Sequence, residues 1–258
     1  MKRLVINADD FGFTPEVNAG IIHSHRQGVL TATTLMADGD AFDDAVRLAR
    51  ETPTLDIGCH LVLIQGDSLV TGRPLPETAR ELVVALSRRH IDVYEELRAQ
   101  VRKILSTGLQ PTHLDSHKHT HALPNVFRVV VRIAHEFGIP YVRLPFDAMF
   151  PFARVPLRLA RRRYCQWTRG YNVSMTDHFA GFRLTGSLTE KTLAAAICSL
   201  REGTTEFMCH PGFVGPALLQ ARTRLKESRM RELEALTSPR IRQLIAAQGV
   251  RLKNFSVG

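Results

Sequence analysis

The chain has 258 residues, 44% of them hydrophobic, and a net charge of +9. That length suits one large core of the size of a β/α barrel, and residues 1–258 read as a single domain. No apolar run approaches the ~20 residues that span a bilayer, and the four cysteines, Cys59, Cys165, Cys198 and Cys209, lack the Cys-x-x-Cys spacing of a thiolate zinc site or a disulfide framework.

Residues 2–8, with the apolar run Leu4-Val5-Ile6, predict a first strand. The chain enters it without a signal-peptide pattern, so a cytoplasmic location is expected. Val17, Ile21 and Ile22 recur at helical spacing across 16–27, ahead of Gly28. The β-branched stretch 31–37 predicts a second strand. An amphipathic helix over 41–50, stopped at Thr52-Pro53, and a third strand over 55–64 follow. A Gly/Pro-rich loop fills 65–76. Helices are predicted near 77–89 and 92–106, then a short strand over 111–116. The helix over 124–137 has Pro124 at its first turn and Gly138 past its end. Strand 141–144 comes next, and 147–176 is less regular. The remainder reads as helix 188–201, strand 204–209, helices 225–237 and 239–248, and a last strand over 250–255. About seven alternating units argue for a parallel sheet, closed or nearly closed into a barrel.

The positive charge gathers in two stretches. One holds Arg154, Arg158, Arg161, Arg162, Arg163 and Arg169; the other holds Arg222, Arg224, Lys226, Arg229 and Arg231. Such stretches suit nucleic acid, an anionic membrane or an acidic substrate, and equally a solvated face.

Four strand-end segments carry the chemistry. They are Asp9-Asp10, Gly58-Cys59-His60, the run from His113 through Asp115, His117 and His119 to His121, and Met208-Cys209-His210-Pro211-Gly212. Alternation puts Ile57, Cys59, Leu61 and Leu63 on one face and Gly58, His60 and Val62 on the other. With the bulky set on helices, His60 faces the barrel interior. His113, Asp115 and His117 share a face, and His210 shares one with Met208. Three elements thus aim imidazoles at one place. Four histidines in nine residues are hard to explain by packing. Asp9 and Asp10 are adjacent and cannot present identically; one suits a cation, the other an activated water. Singly, each signal has an ordinary explanation: a helix cap for the aspartates, a core histidine at His60, a turn histidine at His210.

These segments resemble the motifs of the YdjC/ChbG-type carbohydrate deacetylase family, over nearly the whole chain. The resemblance rests on Asn7-Ala8-Asp9-Asp10-Phe11-Gly12, Gly58-Cys59-His60-Leu61, Pro111-Thr112-His113-Leu114-Asp115-Ser116-His117 and Cys209-His210-Pro211-Gly212. It implies an α/β fold, a distorted (β/α) barrel of about seven parallel strands. It implies removal of acetyl groups from N-acetylated amino sugars with one divalent metal ion. It further implies Asp10, His60 and His117 as metal ligands, Asp9 as general base and His210 as general acid. Arg143-Leu144-Pro145-Phe146 resembles the Arg-x-Pro-aromatic motif of the wider deacetylase group. There the arginine pairs with the catalytic aspartate, and here Arg143 would hold Asp9 ionised; an ordinary surface cation is the plain alternative. Asp115 and His113 are placed to orient ligands or substrate. Magnesium or zinc fits such donors, with manganese or cobalt as substitutes.

Thr176-Asp177-His178-Phe179-Ala180-Gly181 resembles a subgroup associated with hopanoid lipid synthesis. That implies an N-acetylglucosaminyl lipid rather than a chitooligosaccharide as substrate. Residues 149–167 interleave Phe150, Phe152, Val155, Leu157, Leu159, Tyr164 and Trp167 with arginines. The pattern suits peripheral contact with the inner face of an anionic membrane, or a solvated helix covering the barrel. Two other functions compete. A metal-dependent phosphoesterase expects more metals and a carboxylate-rich shell. A non-catalytic binder of anionic lipid or nucleic acid leaves Asp9, Asp10 and His210 unexplained, and the aromatic-rich motif of common single-strand modules is missing, so no nucleic-acid partner is expected. A homodimer is compatible with the family, but no segment identifies an interface.

Overall fold

In the computed structural model of the chain, residues 1–144, 146 and 154–256 are described, the side chains of 154–160 excepted. The order is β1 (Lys2–Phe11), α1 (Pro15–Gln27), β2 (Ala32–Leu35), α2 (Phe42–Arg50), β3 (Asp56–Leu61), α3 (Ala79–Ser87), α4 (Val93–Ser106), β4 (His113–Ser116), α5 (Pro124–Glu136) and β5 (Tyr141–Val142). Then come α6 (Arg154–Gly170), β6 (His178–Ala180), α7 (Glu190–Cys198), β7 (Gly203–Cys209), α8 (Pro216–Gln220), α9 (Glu227–Thr237), α10 (Pro239–Ala247) and β8 (Arg251–Leu252).

Seven strands run in the order β5-β4-β3-β2-β1-β7-β6, with β8 on β1, and every strand pair is parallel. The sheet curls far enough that the chain entering β6 reaches back to β5. Val142 donates to the Ser174 carbonyl at 2.9 Å, and Ser174 to that of Pro140 at 2.8 Å. This is the distorted β/α barrel that the alternating units predict. Parallel strands with helices outside bury the outward side chains. Ile57, Cys59, Leu61 and Leu63 accordingly lie in the main core, while His60 is on the other face. Cys59 and Cys209 are buried, and burial pushes both thiols up.

Helix starts follow from their caps. Thr14 accepts from the Val17 amide ahead of Pro15, Asp92 accepts from Tyr94 and Glu95, and Thr189 and Thr192 close a reciprocal box. The observed strands are shorter than the predicted runs at 31–37, 55–64 and 141–144, because pairing stops where the chain turns into the barrel mouth. The expected strand over 250–255 shrinks to Arg251–Leu252. Beyond it Phe255 turns under the barrel, stacks on His113 at 3.9 Å and donates its amide to Asp56 at 2.5 Å.

Three elements, β6, α6 and the short α8, are new relative to the elements expected from sequence. The segment that resembles the hopanoid subgroup forms β6. Asp177 there accepts the Thr204 amide at 2.8 Å, and Gly181 lies against the Met208 carbonyl, where a Cβ would approach to 2.2 Å. The irregular stretch 147–176 contains helix α6. Much of the arginine-aromatic stretch 149–167 falls outside the described side chains. Within the described part, Tyr164 is buried and packs on Phe127, and Trp167 is half-buried beside it. These two aromatics therefore cover the barrel. Among the described residues, no helix is long and apolar enough to cross a membrane.

Gly20 of α1 lies against the turn that follows His210. A Cβ at Gly20 would come within 2.4 Å of Gly212 Cα, a backbone atom that cannot step aside cheaply. Gly20→Ala is expected to destabilise the protein by about 1–3 kcal/mol through overpacking. Urea unfolding checks this; an unchanged midpoint would show that the turn yields freely.

Candidate active site

The site lies at the C-terminal ends of β1, β3, β4 and β7, where a barrel of this kind gathers its functional groups. Simple alternation would send Asp9 and Asp10 to opposite faces. The structure avoids this with a bulge: the β1–β2 register shifts between Ala8 and Phe11, and Asp10 takes a left-handed φ of 69°. Both carboxylates thereby line one cavity of about 760 Å³, together with His60, His117 and His210. A left-handed non-glycine residue costs on the order of 1–3 kcal/mol, so surrounding contacts must hold it.

Asp10 Oδ1 lies 3.1 Å from His117 Nδ1 and 3.3 Å from His60 Nε2, and the two imidazole nitrogens are 3.3 Å apart. Three donors bound to one cation at about 2.0–2.1 Å in a tetrahedral set stand about 3.3 Å from one another. The triangle therefore fits a divalent metal in both spacing and donor chemistry. His60 Nδ1 donates to Asp115 Oδ1 at 2.7 Å, which turns the lone pair of Nε2 toward the triangle. Thr34 Oγ1 and Arg143 hold the other oxygen of Asp115 at 3.0 and 2.7 Å. Asp9, His60 and Asp115 form a second close set. It is a poor cation site, because Arg143 already places its positive charge against both of those carboxylates.

Arg143 is 1% exposed, so it is not the surface cation of the plain reading. Its Nη2 and Nη1 grip both Asp9 oxygens at 2.7 and 2.8 Å, and Nε donates to Glu206 at 2.6 Å. Burial alone would raise the Asp9 carboxyl, but the Arg143 guanidinium outweighs it and holds Asp9 well below the usual carboxylate range. Burial pushes Glu206 up to about 7, against the opposing pull of Arg143. His210 Nε2 stands 3.9 Å from Asp9 Oδ2 and lines the same cavity. His113 lies deeper: its Nε2 meets Asn7 Oδ1 at 2.9 Å, and Asn7 donates to Asp9 Oδ1 at 3.1 Å. His113 thus supports Asp9 through Asn7 and does not reach the donor triangle.

Several buried partners escape the sequence reading. Glu206 had a signal, being a charged residue on the inward face of a buried strand, the face of Met208 and His210. Arg229 sits in a stretch that reads as a solvated basic face. It is 1% exposed and donates to Asp10 Oδ2 at 2.6 Å. Burial raises Asp10, but Arg229 and then His117 lower it well below its ordinary value. Glu232, also buried, accepts the His210 amide at 2.6 Å.

A curled parallel β/α sheet with acidic and imidazole groups converging at its strand ends has the layout of a barrel hydrolase. The chain belongs to the YdjC-like protein family, whose model matches residues 3–247. It is 34% identical to a carbohydrate deacetylase from Brevibacillus brevis, with 98% of each chain covered. It is 33% identical to a chitooligosaccharide deacetylase from Salmonella typhimurium, with 99% of each covered. Among solved structures, a candidate cellobiose-phosphate cleavage protein from Enterococcus faecalis superposes with a TM-score of 0.82 at 27% identity, covering 98% of this chain and 97% of that one. A lactam utilization protein from Thermus thermophilus shares the fold, with a TM-score of 0.52 at 16% identity and 98% and 99% coverage.

Removing the cation from this cluster should be costly. Arg143→Met leaves Asp9, Asp115 and Glu206 buried without their shared partner, and a loss of about 3–5 kcal/mol is expected. Arg143→Lys keeps the charge but not the fork, and should lose less. Denaturant unfolding of both variants measures this; equal stability of Arg143→Met and the wild type would refute it.

Proposed function

We propose that this protein is a metal-dependent hydrolase that removes the acetyl group from an N-acetylated amino sugar. One observation carries the reading: Asp9, gripped by Arg143, and His210 line the same cavity as a triangle of donors that fits a divalent cation. Asp10, His60 and His117 would hold that cation, with zinc or magnesium the natural occupants and manganese or cobalt as substitutes. A cation bound there supplies an acidified water and polarises the acetamide carbonyl.

The protein's own groups do the rest. Asp9, kept ionised, takes the proton of the attacking water. His210 Nε2, in the same cavity, gives a proton to the amine nitrogen as the C–N bond breaks. Acetate and the free amino sugar are the products. Arg143 and the His113-Asn7 relay fix the direction in which Asp9 accepts. A cavity of about 760 Å³ is within the range of small-molecule sites. The relatives' names point to carbohydrate and chitooligosaccharide substrates. An N-acetylglucosaminyl lipid remains the other member of the same substrate class. In this fold, the segment 176–181 that suggests it is occupied with strand pairing.

A phosphoesterase is less well served. Among the described residues, the second donor set shares His60 with the first and is neutralised by Arg143. Acetate release from N-acetylglucosamine oligomers and N-acetylglucosaminyl lipids, with and without chelator, tests the proposal. Release is expected to stop on chelation and return with added metal. Asp9→Asn should keep the fold and bound metal yet lower kcat by about 100- to 10,000-fold. Undiminished turnover in that variant would remove Asp9 from the base role, and release of phosphate from a sugar phosphate with no acetate release from the acetylated substrates would overturn the assignment.

A further inference from the structure

Helix α9 touches the site at two points that the proposed chemistry does not use. Arg229 reaches Asp10 Oδ2 at 2.6 Å, and one turn on, Glu232 accepts the amides of His210 at 2.6 Å and Gly186 at 3.3 Å. Arg229 is itself locked in place. Its Nε donates to the Leu225 carbonyl at 3.1 Å, and its own carbonyl accepts the Gly212 amide at 3.2 Å. Gly212 leaves just enough room for it, since a Cβ there would stand 3.1 Å from Arg229 Cδ. Nη1 is buried and has no hydrogen-bond partner among the described residues. An arginine kept only for stability would be expected to satisfy such a donor.

We infer that Arg229 is a positioning residue for the candidate metal centre: it occupies Asp10 Oδ2 so that Oδ1 alone is offered beside His60 and His117. The inference rests on the reading of Asp10, His60 and His117 as metal ligands. Its physical basis is the backbone of Asp10. A left-handed aspartate at a bulge has no backbone register partner in β2 or β7 to hold it in line. With Oδ2 held by a guanidinium that is anchored to α9, the carboxylate keeps one rotation, and its free oxygen completes the triangle.

Direct repulsion between Arg229 and the metal would have the opposite sign. A guanidinium 2.6 Å from a ligand carboxylate repels a dication, so its removal would tighten metal binding. A positioning role predicts weaker binding on removal. The experiment is titration of metal-free full-length protein with Co2+, read by its d–d absorption, for wild type, Arg229→Gln and Arg229→Lys, alongside kcat and KM for acetate release. Arg229→Gln is expected to weaken Co2+ binding about 10- to 100-fold, the usual effect of losing a partner that orients a ligand. The absorption should also shift, and kcat should fall with KM little changed; Arg229→Lys should recover part of each. Unchanged or tighter Co2+ binding with a wild-type spectrum in Arg229→Gln overturns the inference alone. Should Arg229→Gln fail to fold, a wild-type spectrum and affinity in Arg229→Lys overturns it equally. Failure of the wild-type protein to bind Co2+ would overturn the metal reading, and this inference with it.

Discussion

The site depends on one buried guanidinium shared among three carboxylates. Arg143 leaves the end of β5 and meets Asp9 from β1, Asp115 from β4 and Glu206 from β7. Each acid alone would be expensive to bury in charged form. Around Arg143 they become a junction that ties separate strands together. The junction also sorts the acids by task. Asp9 is gripped by the fork and stays ionised. Asp115 divides its oxygens between Arg143 and His60, and so sets which nitrogen of His60 faces the triangle. Glu206 anchors the arginine from behind.

A second constraint is local to β1. Two neighbouring aspartates can face one cavity only if the strand breaks its own alternation. The bulge and the left-handed Asp10 do this. Lys118 and His119 share the left-handed backbone, at φ 51° and 56°, where the chain leaves β4 past His117. Asp10, Lys118 and His119 all line the cavity that holds the donor triangle, and strained backbone is common where geometry is held for chemistry.

Much of this was legible in the sequence, for particular reasons. The parallel barrel followed from apolar strands alternating with amphipathic helices. His60 could be placed inward because the bulky residues around it claim the other face. The grip of Arg143 on Asp9 came from resemblance, since nothing local separates that arginine from a surface cation. What stayed hidden was mostly long-range. Arg229 looks like its basic neighbours, and only the packing of α9 against the turn at Gly212 buries it. β6 is three residues long, too short for alternation to register. The bulge at Asp10 is stabilised by partners 50 to 219 positions away, which no local pattern encodes.

The floor of the barrel carries one more consequence. β1 is made before β7 and β8, yet it pairs with both. Beneath them Phe255 stacks on His113, which holds Asn7, which holds Asp9. Asp9 is therefore wired to a residue 246 positions further along the chain. A ribosome-bound chain carries every donor of the triangle long before it can lock them in place. Contacts of such sequence separation make closure slow. Until residues 251–256 are delivered, the growing chain exposes an unfinished sheet edge and a loosely held acid pair, so competence should arrive abruptly, once that segment has emerged.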